Sequence, residues 1–189
     1  MGYDSFSVTE SDLNRHEFID WYEDVRVGTR RLISMVPDEA FEFQVCEGGP
    51  TIEQLTRAFA GLEDQYMRGV CLGDWSDPSN PWDARRQARE ASADEAGDPQ
   101  GFEPTDCLET TDEILEHLDM VHQNALDVFV ELSEEEFQKR VVELPWGERG
   151  TIARLLLGMV EREIHHRTEL YMALQAFGVR MNPMIIWGP

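Results

Sequence analysis

"TIARLLLGMVEREIHHRTELYMALQAFG", residues 151–178, decides the class of fold. Ile152, Leu155, Leu156, Met159, Leu170, Ala173, Leu174 and Phe177 recur at steps of three and four, the repeat of one face of an α-helix. Thr151 caps this helix and Gly178 ends it. Extending the apolar line through the middle selects Arg162, Glu163 and His166 as inward-facing, so the core line turns polar for about one turn. Buried charges cost several kcal/mol unless they are paired or hydrogen-bonded. Such a patch is therefore either a site or a closed ion-pair network. His165 lies about 100° around the helix from His166, so only one of the two histidines can point into a given site.

Working outward, three more helices share this pattern. Residues 9–36 carry Leu13, Phe18, Trp21, Val25, Leu32 and Val36 at mostly helical steps, with Pro37 ending the run. Thr51 and Gln54 have capping-box spacing and open a second helix, whose apolar line is Ile52, Leu55, Phe59, Leu62, Tyr66 and Val70 and which Gly73 closes. A third runs from about Thr110 to Glu131, with Ile114, Leu118, Val121, Ala125, Val128 and Phe129 on one face. Ser133 and Glu136 start a short helix near 134–141, and "ELPWGERG", residues 143–150, reads as a turn.

Residues 74–106 are rich in Asp, Pro, Gly, Ser and Ala, with Trp75 and Trp82 as anchors and "WDARRQAREASADEA" as a candidate surface helix. No run reads as a convincing strand. The expected architecture is all-α: a four-helix bundle in a single domain, 1–189, whose 74–106 segment is a crossover long enough to leave helices two and three parallel. The apolar tail "MNPMIIWGP" is expected to pack on the bundle or on a second subunit.

Charge narrows the function classes. The 189 residues include 38 acidic and 16 basic ones, a formal net charge of −22, and Lys139 is the single lysine. A field of that sign repels phosphate backbones, so nucleic-acid binding is not expected. No stretch of about eighteen apolar residues suggests a membrane span. The N-terminal "MGYDSFSVTESD" lacks the basic start and apolar centre of a secretory signal, so the expected location is cytoplasmic. The acidic, lysine-poor composition fits a halophile's cytoplasm, and equally an ordinary acidic protein from an arginine-preferring organism. Cys46, Cys71 and Cys107 are odd in number and widely spaced, which argues for reduced thiols rather than disulfides or a zinc knuckle. Cys71 reads as a small apolar residue before it reads as a nucleophile.

"EREIHHRTELYMALQAFGV" resembles the fourth-helix signature of the DinB-like (damage-inducible protein B, YfiT-like) superfamily, and "TIEQLTRAFAGLE" its second-helix signature. "FIDWYEDVRVGTRRLISMVPDEAF" is similar to the opening helix and "LSEEEFQKRV" to the stretch before the last turn. The resemblance implies up-down-down-up connectivity, a homodimer, and in active members a divalent metal held by three histidines. One comes from the second helix and two from an HxxxH pair in the fourth. Some members transfer or isomerise substrates with a low-molecular-weight thiol. Carried over, the second-helix position falls on Ala58, the first of the pair on Arg162 and the second on His166.

This departure changes the chemistry expected. An imidazole offers zinc or nickel a nitrogen lone pair, alanine offers nothing, and a guanidinium is itself a cation. The leading expectation is a family member with a degenerate metal site and no bound metal cofactor, acting as a small-molecule-binding or non-catalytic protein. Arg162, paired with Glu163 or Glu63, would stand where the metal charge would be, with Glu163, His166 and Ala58 around it. The alternative is a zinc- or nickel-dependent thiol transferase or hydrolase-like enzyme using His166 with non-standard ligands, for which Glu161 and His165 at i, i+4 are the weak candidates. His122 borders the third helix's core and reads as a hydrogen-bonded structural histidine, while His16 and His117 read as surface residues. Trp21, Phe59, Tyr66, Phe129 and Trp146 read as core before they read as pocket lining.

Overall fold

The computed structural model of the protein describes residues 13–75 and 110–182. Trp82, the candidate helix in residues 82–96, Cys107 and residues 183–189 of the tail lie outside the described residues. Helix α1 spans Arg15–Ile33, α2 Ile52–Tyr66, α3 Thr111–Val130, a short α4 Glu134–Lys139, and α5 Ile152–Phe177. Each begins on a side chain able to accept an unpaired backbone N–H. Asn14 with Glu17, Thr51 with Gln54, Thr110 with Glu113 and Ser133 with Glu136 form reciprocal capping boxes, and Thr151 accepts from Arg154 N. Helix α1 stops at Ile33, short of the expected 36, because Pro37 has no N–H to give to the Ile33 carbonyl.

Two features differ from the sequence reading. The last residues of the second helix, Met67–Leu72, widen into a π-turn closed by Gly73 at φ 75°. The stretch expected to be only a turn is a β-hairpin, β1 Val141–Glu143 against β2 Arg149–Thr151, with Val142 opposite Gly150. Three-residue strands are too short to show a period of two, so periodicity could not reveal them.

Two apolar clusters fill the bundle, one at each end. The first joins Phe18, Tyr22 and Val25 of α1 to Tyr66 and Val70, to Ala125 and Phe129 of α3, and to Ile152, Leu156 and Met159 of α5. The second joins Leu32 and Ile33 to Ile52, Leu55 and Phe59, to Ile114 and Leu118, and to Leu170 and Leu174. The start of α1 and of α5 therefore shares one end of the bundle with the close of α2 and α3, which is up-down-down-up. Helices α2 and α3 run parallel, as a long connection permits and a short one does not.

Candidate functional site

Between the two apolar clusters lies a charged layer. Arg26 and Thr29 of α1, Glu63 of α2, and Glu163 and Arg167 of α5 are all buried, none more than 4% exposed. Arg26 is the hub. Its Nη2 lies 2.6 Å from Glu63 Oε2 and 3.2 Å from Glu163 Oε2, and donates to Tyr22 Oη at 2.7 Å. The Tyr22 hydroxyl donates in turn to Glu63, and the Thr29 hydroxyl to Glu163. His122 of α3 closes the layer, with Nδ1 2.6 Å from Glu63 Oε1. Burial disfavours the charge on Arg26, but Tyr22, Glu163 and Glu63 outweigh it and hold the guanidinium protonated. Burial raises the Glu163 carboxyl above its ordinary range, with Arg26 and the Thr29 hydrogen bond opposing it.

Arg167 reaches the layer because α1 has a glycine opposite it. A Cβ on Gly28 would stand 2.1 Å from Arg167 Nη1, the atom that donates to the Val25 carbonyl at 3.1 Å. Glycine at this position allows a guanidinium, rather than an apolar side chain, to fill the seam.

The expected inward trio is only partly inward. Glu163 is buried, but Arg162 is 46% exposed and His166 is 32% exposed. The inward line of α5 passes through Leu156, Val160, Glu163, Arg167, Leu170 and Leu174, and this rotation carries 162 and 166 to the flank. Nor does Arg162 pair with Glu63 or Glu163, which Arg26 occupies. Its guanidinium lies over the rings of Tyr66, at 5.3 Å, and Trp146, at 6.0 Å, and 3.5 Å from Glu148 Oε2 on the hairpin. His166 Nδ1 meets Glu169 at 2.7 Å and its ring meets the edge of Phe59. Glu161 and His165 point outward as expected, and His165 also turns to Glu169. Ala58 is half-buried on α2, beside Phe59.

Arg162, His165 and His166 line an open depression of about 400 Å³ with Glu148, Arg154, Gly158 and Glu161. Beside it the aromatic residues form a continuous group, for Trp146 meets both Tyr66 and Trp75. Trp75 seats itself against Gly69 of the π-turn, where a Cβ would come within 2.4 Å of the indole. Trp146 is thus 48% exposed and not the core residue expected, whereas Phe59, Tyr66 and Phe129 are core and Trp21 is half-buried. Cys71 is buried, and desolvation pushes its thiol up to about 12, against the pull of Arg140. That state is inert.

The comparisons with known proteins settle the lineage. A sequence model of the DinB family matches residues 8–185. The chain belongs to the DinB family. Among solved structures it is similar to a DinB-like protein from Bacillus subtilis, with a TM-score of 0.61 and 14% identity over 88% of this chain and 96% of that one. A DinB-like protein from Bacillus cereus gives 0.61 and 11% identity over 89% and 96%. A putative DinB-family member from Exiguobacterium sibiricum gives 0.58 and 17% over 92% and 98%. At these identities the likeness speaks for the fold. No curated protein matches this DinB chain. Among the described residues, no helix is long and apolar enough to cross a membrane.

Ala58, Arg162 and His166, the three positions that the family resemblance picks out, do not offer the donor set a divalent ion needs. Ala58 has no donor atom, Arg162 is a cation, and the one imidazole, His166, gives Nδ1 to Glu169. Among the described residues, no three His, Cys, Asp or Glu side chains gather as metal ligands would.

Proposed function

We propose that this DinB-family protein has a vacated metal centre and works by binding a small anionic molecule, with Arg162 as the anchor, His166 and Ala58 as the other positions of the old site, and Glu163 behind them. One observation carries the reading. Arg162 sits in an open depression with a weak partner, Glu148, 3.5 Å away and itself 48% exposed. An ion pair so exposed contributes at most about 1 kcal/mol, so an incoming carboxylate or phosphate exchanges with Glu148 at little cost. The wall of Tyr66 and Trp146 already holds the guanidinium in place, which lowers the entropy lost on binding. His166 and Arg154 lie within the same depression as further donors. Glu163 acts from the buried layer, setting the position of α5 rather than touching the ligand. A homodimer belongs to the same proposal, and light scattering of the purified protein tests it.

The test of the vacated centre is elemental analysis of protein purified without a histidine tag, beside an Ala58→His, Arg162→His double variant. The expected result is no stoichiometric metal in the natural chain and about one metal per chain in the variant, with chelation lowering the melting temperature of the variant alone. A natural chain that carries near-stoichiometric zinc or nickel overturns the reading. The anion arm is read separately, as a melting temperature that rises with added carboxylates or phosphate and stops rising in Arg162→Gln.

A further inference from the structure

His122 stands outside the proposed anion site, and its surroundings define a different device. Its ring lies between two carboxylates on two helices. On one side Nδ1 is 2.6 Å from Oε1 of Glu63, which is 1% exposed. On the other, Nε2 is 3.2 Å from Oε2 of Glu23, which is 44% exposed. The first contact is a hydrogen bond and the second an ion pair without hydrogen-bond alignment. Tyr22 and Arg26 complete the groups that face it, the phenol ring edge-on at 5.3 Å and the guanidinium beyond Glu63. An ionised carboxylate accepts and never donates. A neutral imidazole protonated on Nδ1 would satisfy Glu63 but turn the Nε2 lone pair toward the Glu23 oxygen. Only the imidazolium is attracted to both.

We propose that His122 is a proton-operated latch, which as an imidazolium ties α3 to the buried Glu63 of α2 and to Glu23 at the surface of α1, and which loosens when it loses its proton. Arg26 and Arg167 already balance Glu63 and Glu163 within the layer. The charge on His122 is therefore matched by Glu23, which sits where solvent protons reach it. Burial opposes the imidazolium, but the hydrogen bond and charge of Glu63, helped by Glu23 and opposed by Arg26, raise its proton affinity above the ordinary histidine value. A raised value in the folded state gives stability that is complete below the unfolded pKa of about 6.5 and is lost as pH climbs through the folded midpoint.

The deciding measurement is the nitrogen-15 titration of the imidazole rings in the full-length protein, with His122→Gln used to assign the His122 signals. The latch requires a midpoint above about 6.5, with both ring nitrogens protonated on its acid side. It also requires Glu63→Gln to lower that midpoint. If Glu63→Gln does not fold, Glu23→Gln replaces a surface group and must lower it by a smaller step. In urea unfolding, the advantage of the natural chain over His122→Gln must shrink between about pH 6 and about pH 9. A His122 midpoint at or below about 6.5, a midpoint unmoved by loss of either carboxylate, or a pH-independent difference from His122→Gln overturns the proposal.

Discussion

Replacing Arg26 with Met tests whether the charged layer holds the bundle together through its hub. Methionine nearly matches the aliphatic stem, so the main loss is the guanidinium that Glu63, Glu163 and Tyr22 share. Removing one partner of a buried ion pair costs about 3–5 kcal/mol, because the other charge is left buried without compensation. Here the two carboxylates keep other donors: Tyr22 and His122 for Glu63, Thr29 for Glu163, with the charge of Arg167 nearby. The expected loss is therefore near the low end, about 3 kcal/mol, in a chain whose total stability is of the order of 5–15 kcal/mol. The pH dependence has a definite sign. Burial already raises the Glu163 carboxyl, and without Arg26 it rises further, so the neutral acid becomes the cheaper form. A carboxyl raised in the folded state destabilises more as pH rises through its folded value, so the deficit of Arg26→Met must shrink on acidification from pH 7 to about pH 5. Urea unfolding at both pH values measures this. A deficit below about 1 kcal/mol at pH 7, or one that does not change with pH, would refute the hub argument.

Three further outcomes follow from single contacts. Gly69→Ala places a Cβ 2.4 Å from the Trp75 ring, so the indole must leave its notch, and the tryptophan emission should shift to the red; an unchanged spectrum would show that the π-turn absorbs the methyl instead. Gly158 lies inside α5 with nothing within 4 Å of an added Cβ, so Gly158→Ala should stabilise the chain by about 1 kcal/mol, measured by urea unfolding. In a Cys107→Ser background, exposed Cys46 should react promptly with an aromatic disulfide reagent, and buried Cys71 only once the protein unfolds.

The legible parts of this protein are those written in local chemistry. The caps at Thr51, Thr110, Ser133 and Thr151, the closing glycines 73 and 178 and the three-four spacing of the apolar residues each act within a turn or two of chain, and each appears where its pattern places it. The polar turn of the last helix was equally legible, since Glu163 interrupts an apolar line. Its composition was not. Along α1 and just past its end, Phe18, Tyr22, Val25, Thr29, Leu32 and Val36 form a strict four-three line, and that regularity was the available sign that Thr29, and Arg26 one turn before it, face inward.

The amino-acid sequence by itself determined four long helices, an acidic all-α chain, and an alanine and an arginine at positions 58 and 162, where the family resemblance sets metal-ligating histidines. Helix formation, capping and ligand identity depend on residues close in the chain or on the chemistry of one side chain. Tertiary structure alone decided the rotation of α5. A spacing of three or four leaves two neighbouring residues as equal candidates for the same seam, and the partner helix chooses between them. Gly28 makes room for Arg167 and Arg26 draws Glu163 inward, so Arg162 turns out to the hairpin, where Tyr66 and Trp146 hold it beside Glu148.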